Sequence, residues 1–355
     1  MATRLSRVCT FITIVILAVT GWCFPGGREE PGGKPRIGPA HPVRVAKVPA
    51  LAEIVYHSGG YIYVMDRNGQ NVTQITFENP HHYEHVAVSF DHRFVVANEQ
   101  KPNPEGKPGG LSLLWLFDLE KGTEARLVPE FDTAGNGGVA WDAKGFVYFA
   151  GKERDVVPDP KTQDDFIANA AANDVYRIKF DGTGLQRLTN TKTRGEADIS
   201  VSEDGTLVTF MDVVTDPGNE YTEIWVINSD GRNPRLVYTG GKPGIASVHD
   251  PEVSPDNTRV AFSKVDRDVP PNFPDHPVLN TAHDIWAINV DGTGFTRLTK
   301  PGPISIIPNW EDGLIVYTEI SEKGNYIGAS IVRADGQDQL PKRIKPGASS
   351  PKWIP

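Results

Sequence analysis

Beyond residue 50 the chain is written in short runs of alternating apolar and polar positions, each stopped by a glycine, asparagine or aspartate turn signal. Alternation such as Ile285-Trp286-Ala287-Ile288 sends successive side chains to opposite faces of a strand. Asp-Gly and Asn-Gly then supply the positive φ that tight hairpin turns require. Aligning the chain with itself shows that these hairpins repeat. One hairpin type occupies residues 61–76, 113–128, 174–189, 223–237, 284–299 and, in degenerate form, 329–344. A second type falls between them at 88–98, 141–151, 201–211, 253–263 and 310–319. Equivalent positions of the first type hold Tyr63, Trp115, Tyr176, Trp225 and Trp286, with Ser330 in the last copy.

Two hairpins per repeat make four antiparallel strands, and radial repetition of such a unit makes a β-propeller. Five complete units begin near Val86, Val139, Ile199, Pro251 and Pro308. A sixth is split between the ends: Ser350–Pro355 supplies its first strand, and residues 53–76 supply the other three. The expected fold is therefore all-β, a six-bladed β-propeller of four-stranded antiparallel blades. Its ring is closed by pairing the C-terminal strand with the N-terminal strands, which removes an exposed edge.

The start of the chain has a different texture. Arg4 and Arg7 precede the apolar run Phe11–Val19 and the small residues Thr20 and Gly21, the pattern of an export signal over residues 1–21. The alternatives are an uncleaved anchor, and lipidation at Cys23, although Trp22 stands where a small residue is expected. Residues 22–50 are dense in proline and glycine and read as a tether, leaving 51–355 for the propeller. An exported protein, periplasmic or extracellular and possibly membrane-tethered, is expected, with no transmembrane domain once the signal is removed.

Composition narrows the function classes. With 35 Gly, 29 Pro and 39% hydrophobic residues the chain is turn-rich yet able to form a core. Two cysteines exclude a disulfide scaffold, and a net charge of −9 excludes a nucleic-acid binder. A monomer is expected.

The run Asp284–Thr299, preceded by the Asp-Pro-x-x-Ser-Pro-Asp stretch at Asp250–Asp256, resembles the WD-type propeller repeat of the TolB family. Those are periplasmic partner proteins of the Tol–Pal envelope system. The resemblance covers residues 52–355 and implies a propeller; the same repeat occurs in peptidase and lyase propellers, so it is specific for fold. The α/β domain of TolB and the hydrolase domain of the peptidases have no counterpart pattern here, and a bare propeller is expected.

Strand order fixes the faces of such a ring. Connections between strands 1–2 and 3–4 are short, whereas the long insertions at 101–110, 151–173, 212–222 and 264–283 all join strands 2 and 3. Four blades thus elaborate one face, where binding usually resides. The strand-1 entrances, at the channel mouth on that face, hold His85, Gly138, Asp198, Asp250, Ile307 and Ser350. His85, Glu84, Asp198, Glu196, His249, Asp250 and His283 are the candidate ligand-binding residues. Of these, His85, Asp198, Asp250 and His249 could offer imidazole and carboxylate to a divalent metal. The alternative is that Asp198 and Asp250 cap turns. The string His81-His-Tyr-Glu84-His85 has a zinc-peptidase spacing, but that chemistry needs a helix and the string leads into the opening strand of a blade.

Two functions follow. The first is a non-catalytic exported propeller binding a protein or cell-envelope component through the long-insertion face. The second is a metal-dependent carbohydrate-active enzyme resembling oligogalacturonate lyases, with its site at the channel mouth.

Overall fold

The computed structural model describes residues 34–355 except 79, 103–109, 134–137, 154–167, 169–171, 192–193, 217–218, 241–247, 267–281, 300–301, 322–325 and 338–341. The expected export signal and Cys23 lie outside the described residues. No helix among the described residues is long and apolar enough to cross a membrane.

In chain order the strands are β1 (His41–Pro42), β2 (Ile54–Ser58), β3 (Tyr61–Met65) and β4 (Thr73–Gln74). The first complete blade is β5 (Tyr83–Val88), β6 (Phe94–Pro102), β7 (Gly110–Asp118) and β8 (Thr123–Leu127). The second has β9 (Asp132–Thr133) at its margin, then β10 (Val139–Trp141), β11 (Phe146–Lys152), β12 (Asp174–Lys179) and β13 (Gln186–Arg187). The third is β14 (Gly195–Val201), β15 (Leu207–Asp216), β16 (Asn219–Asn228) and β17 (Arg235–Thr239). The fourth is β18 (Val248–Val253), β19 (Arg259–Asp266), β20 (Ala282–Asn289) and β21 (Thr296–Arg297). The fifth is β22 (Ile304–Glu311), β23 (Leu314–Ile320), β24 (Tyr326–Arg333) and β25 (Lys342–Pro346), and the chain ends in β26 (Ser349–Trp353).

Each blade is an antiparallel sheet in sequence order, and a sixth sheet has the order β26-β2-β3-β4, with Ile54 opposite Trp353. The innermost strands β5, β10, β14, β18, β22 and β26 touch in succession, and β26 touches β5 again. The chain is a six-bladed, all-β propeller.

The repeat's polar letters are contacts that hold each blade. In the Ser-x-Asp turns, Ser89, Ser202 and Ser254 donate to Asp91, Asp204 and Asp256 at 2.6, 2.7 and 2.6 Å. The same hydroxyls accept from the first backbone N–H of strand 2. In the Arg-Leu-Thr ending, Thr189 and Thr299 accept the N–H of Val175 and Ile285 at 2.8 and 2.9 Å. Their arginines, Arg187 and Arg297, pair with buried Asp174 and Asp284 at the start of strand 3. The apolar letters fill the spaces between sheets, as where Phe94, Trp141, Phe149, Tyr176, Ile199 and Phe210 share one core cluster across three blades. The repeated aromatics mostly stack within their own blade, as Tyr63 does on Tyr56 and Tyr176 on Phe149, each at 5.5 Å.

Two expectations change. Residues 36–46, expected to be tether, lie along the outer rim. There β1 pairs with β8, Ile37 bridges to Leu127, Val45 bridges to Thr76, and Arg36 donates to the Gly182 carbonyl. Outer strand edges carry unpaired backbone groups, and this segment covers them despite its prolines. The insertion at 212–222 is largely hairpin, since β15 and β16 stay paired out to Asp216 opposite Asn219.

Candidate functional site

The channel mouth is built by a backbone irregularity repeated around the ring. In four sheets the inner strand carries an extra residue, shown by register shifts between 197 and 200, 249 and 252, 306 and 309, and opposite 55–57. Asp198, Asp250, Ile307 and Ser350 occupy these bulges at φ 49°, 53°, 55° and 47°, with Gly138 at 67° in the second blade. Only the glycine takes this conformation without penalty; the β-branched Ile307 is strained by it. A Cβ at Gly138 would come within 2.7 Å of the Ile199 carbonyl, so the second blade needs glycine twice over. In the first blade the shift falls one residue earlier, between Tyr83 and His85, and His85 is not left-handed.

Three of the bulges turn their N–H towards the preceding blade, where a side chain accepts it. Asp198 Oδ2 accepts from Asp250 N at 3.2 Å, and Asp250 Oδ2 accepts from Ile307 N at 3.2 Å. Thr318 Oγ1 does the same for Ser350 N at 3.0 Å. Asp198 and Asp250 therefore cap the neighbouring blade's bulge, not their own turn. These hydrogen bonds tie the third, fourth, fifth and sixth blades together at the mouth.

Around Asp250 the charged groups gather. His249 Nδ1 stands 3.1 Å from Asp250 Oδ2, Ser263 Oγ donates to the same oxygen at 2.8 Å, and His283 Nε2 lies 2.7 Å from His249 Nε2. The carboxylate makes Nδ1 of His249 the donor, and the contact between the two Nε2 atoms holds one proton, carried by one ring or the other. Burial would raise the Asp250 carboxyl, yet His249 prevails and holds it at about 2. Asp198 is pushed well above the carboxylate range by burial and by Asp250. Burial brings His85 down to about 4, with Lys352 adding to the effect and Asp250 opposing it. Burial and His249 likewise push His283 well below the usual histidine range.

Of the seven candidate residues, the structure joins His249, Asp250, His283 and Asp198, and sets His85 within the field of Asp250. Two go elsewhere. Glu84 faces His82 at 3.4 Å, and Glu196 accepts from Thr191 Oγ1 at 2.6 Å. Glu196 belongs to a buried row across the third blade, Glu196 opposite Asp212 and Asp212 opposite Glu223. Arg194 donates to both Asp212 and Glu223. Among the described residues, no three His, Cys, Asp or Glu side chains are gathered to hold a metal ion. The His81–His85 spacing falls partly on strand β5, and His81 bonds Glu99 at 2.9 Å.

The channel lining lies two residues further along the inner strands, outside the seven candidates. Ala87, Ala140, Glu252, Asn309 and Lys352 border an axial cavity of about 90 Å³. The buried Lys352 ammonium donates to the Val139 carbonyl at 2.8 Å. The signal was present: the same offset from each bulge yields this ring of small and polar residues.

No family model matches the sequence, and no curated protein matches it. Solved structures do. TolB from Acinetobacter baumannii superposes with a TM-score of 0.56 at 13% identity, over 87% of this chain and 68% of that one. A putative TolB from Agrobacterium tumefaciens gives 0.55 at 12%, over 86% of this chain and 98% of that one. An oligogalacturonate lyase in complex with manganese gives 0.51 at 14%, over 87% and 86%. Identities this low speak to fold, and the fold is that of a TolB-like β-propeller.

Proposed function

We propose that this is an exported, non-catalytic propeller that binds a protein or cell-envelope component through its long-insertion face. The observation that carries the reading is the hairpin formed by β15 and β16, which stays paired from Leu207–Asn228 out to Asp216–Asn219. The first blade extends in the same way, with Pro102 opposite Gly110. Ribbons continuous with a rigid sheet present a surface at little ordering cost. The mouth beneath them is committed to joining blades: its carboxylates already accept backbone N–H groups, which suits a scaffold better than a reaction centre. A periplasmic setting, by likeness to TolB, and a monomeric state belong to the same reading.

The test is capture from solubilised envelope of the source cells, comparing the intact chain with a variant in which residues 213–222 are replaced by an Asn-Gly turn. Loss of a specific captured species in the trimmed variant supports the reading. Equal capture by both removes the third-blade ribbon from it.

One observation favours the lyase-like enzyme as a second reading: His249 and His283 do meet at the mouth beside Asp250. A metal there would require both Nε2 atoms to leave their mutual hydrogen bond. Metal content after incubation with manganese, compared with His249→Ala, decides it; equal, negligible binding by both proteins ends this reading.

A further inference from the structure

On the opposite, short-turn face, a groove of about 520 Å³ opens between the fourth and fifth blades. Its walls come from the turn at Ser254–Asp256, Arg259, Trp310, the turn at Asp312–Leu314, and Arg333–Asp335. Arg259 is out of keeping with the repeat. The residue that opens strand 2 after the Ser-x-Asp turn donates its N–H to the turn serine: Phe94 to Ser89, Leu207 to Ser202 and Arg259 to Ser254, each at 2.9 Å. Other blades place an apolar side chain at this point, and Phe94 stacks on Trp141 of the next blade at 6.3 Å. In the fourth blade the guanidinium takes that place, 5.2 Å from the ring centre of Trp310.

The substitution is electrostatically uncompensated. Arg93, Arg187, Arg297 and Arg343 all reach a carboxylate. The Arg259 side chain makes one hydrogen bond, NH1 to the Ala334 carbonyl at 2.9 Å, and no ion pair of it occurs among the described residues. Burial lowers its pKa, with Asp256 only partly opposing. Oδ1 of that aspartate accepts from Ser254 Oγ and from the N–H and hydroxyl of Thr258, which turns the carboxylate towards its own turn. A half-buried guanidinium with unused donors, held beside an indole at the edge of a groove, is suited to bidentate recognition of a planar anion. Arg333 is paired with Asp335, and the remaining wall carboxylates, Asp256 and Asp312, oppose a dianion about twice as strongly as a monoanion, which selects a singly charged ligand for Arg259.

We propose that this groove is a carboxylate-binding site, with Arg259 as the anchor, for a monoanionic carboxylate from a free acid or from an acidic side chain of a protein partner. It is separate from the long-insertion face and does not depend on the function proposed for that face.

The test follows the Trp310 indole N–H resonance of the purified full chain, assigned by its loss in Trp310→Phe. Sodium acetate, an N-acetylated and C-terminally amidated tetrapeptide with one glutamate, sodium phosphate and sodium chloride are titrated at constant ionic strength. Saturable shifts with acetate or the tetrapeptide, weakened at least about tenfold in Arg259→Leu, are expected, since one charge-assisted bidentate pair accounts for that much. Tighter binding of the tetrapeptide assigns the carboxylate to a protein partner, and equal binding assigns it to a free acid. Arg259→Leu restores the type of residue found in the other blades, so its melting temperature should be unchanged or higher. Arg259→Lys, which keeps the charge but loses the planar fork, should bind with intermediate affinity. Shifts no different from those in chloride, undiminished binding by Arg259→Leu, or phosphate binding as tightly as acetate would overturn the proposal.

Discussion

Asp198 and Asp250 show how one residue type takes two protonation states in one mouth. Asp198 is buried, Asp250 is mostly covered, and both accept a neighbour's N–H, but His249 stands beside Asp250 alone. The raised pKa of Asp198 has a definite consequence. Its unfolded value is about 3.9, so above that pH the native state holds a proton the unfolded chain has released. Stability from this group is fully present below pH 4 and is lost as pH rises towards the folded value. Asp198→Asn keeps an acceptor oxygen without the titration, so its stability in urea should fall less between pH 5 and pH 8 than the wild type's. Parallel losses would contradict the assignment. His85 works in the opposite sense: with its pKa depressed to about 4, its contribution is complete above pH 6.5 and lost as pH falls towards 4. His85→Gln should therefore resist acid better over that interval, by up to about 1.4 kcal/mol per pH unit. Thr299 offers a test of the repeat itself. Thr299→Val leaves the buried Ile285 N–H without its acceptor and should cost about 1–3 kcal/mol in chemical denaturation. These entrance residues were legible in the sequence as equivalent positions. Their role was not, because an N–H turned out of a bulge meets its acceptor on another blade, and self-alignment contains no contacts between copies.

At the scale of elements, hairpins and blade order were readable because turn chemistry and alternation are local properties. The rim segment was not. Proline and glycine between residues 34 and 50 speak against a strand in isolation, and its pairing depends on edges supplied by three other parts of the ring. Arg36, Gly38, Val43 and Ala46 donate backbone hydrogen bonds to Gly182, Arg126, Gly122 and Ile75. At about 0.5–1.5 kcal/mol net for each bond, a chain beginning at residue 48 should be less stable by a few kcal/mol. An unchanged melting temperature would mean that the strap is incidental. The turn of the split blade makes a comparably close contact: a Cβ at Gly69 would lie 1.8 Å from the Ile344 carbonyl, so any larger residue there forces the fifth and sixth sheets apart.

For the whole molecule, the sheet β26-β2-β3-β4 draws on both ends of the chain, and β26 is the strand nearest the axis. Trp353 is buried in it and bonds Asn309 through its backbone and indole N–H groups. Removing residues 349–355 should lower the melting temperature sharply, since loss of Trp353 burial alone is worth about 2–3 kcal/mol. Such a ring has two faces with different chemistry: paired ribbons and a histidine–carboxylate mouth on one, short Asx turns and the Arg259 groove on the other. The central functional claim is that the ribbon face does the binding. Hydrogen exchange on the complex with the captured envelope partner tests it most directly. The account predicts protection of backbone amides at 98–102, 110–114, 212–216 and 219–223, with the short turns at 118–122, 181–184 and 291–294 unchanged. Protection confined to those short turns, with the ribbons exchanging as in the free protein, would contradict it.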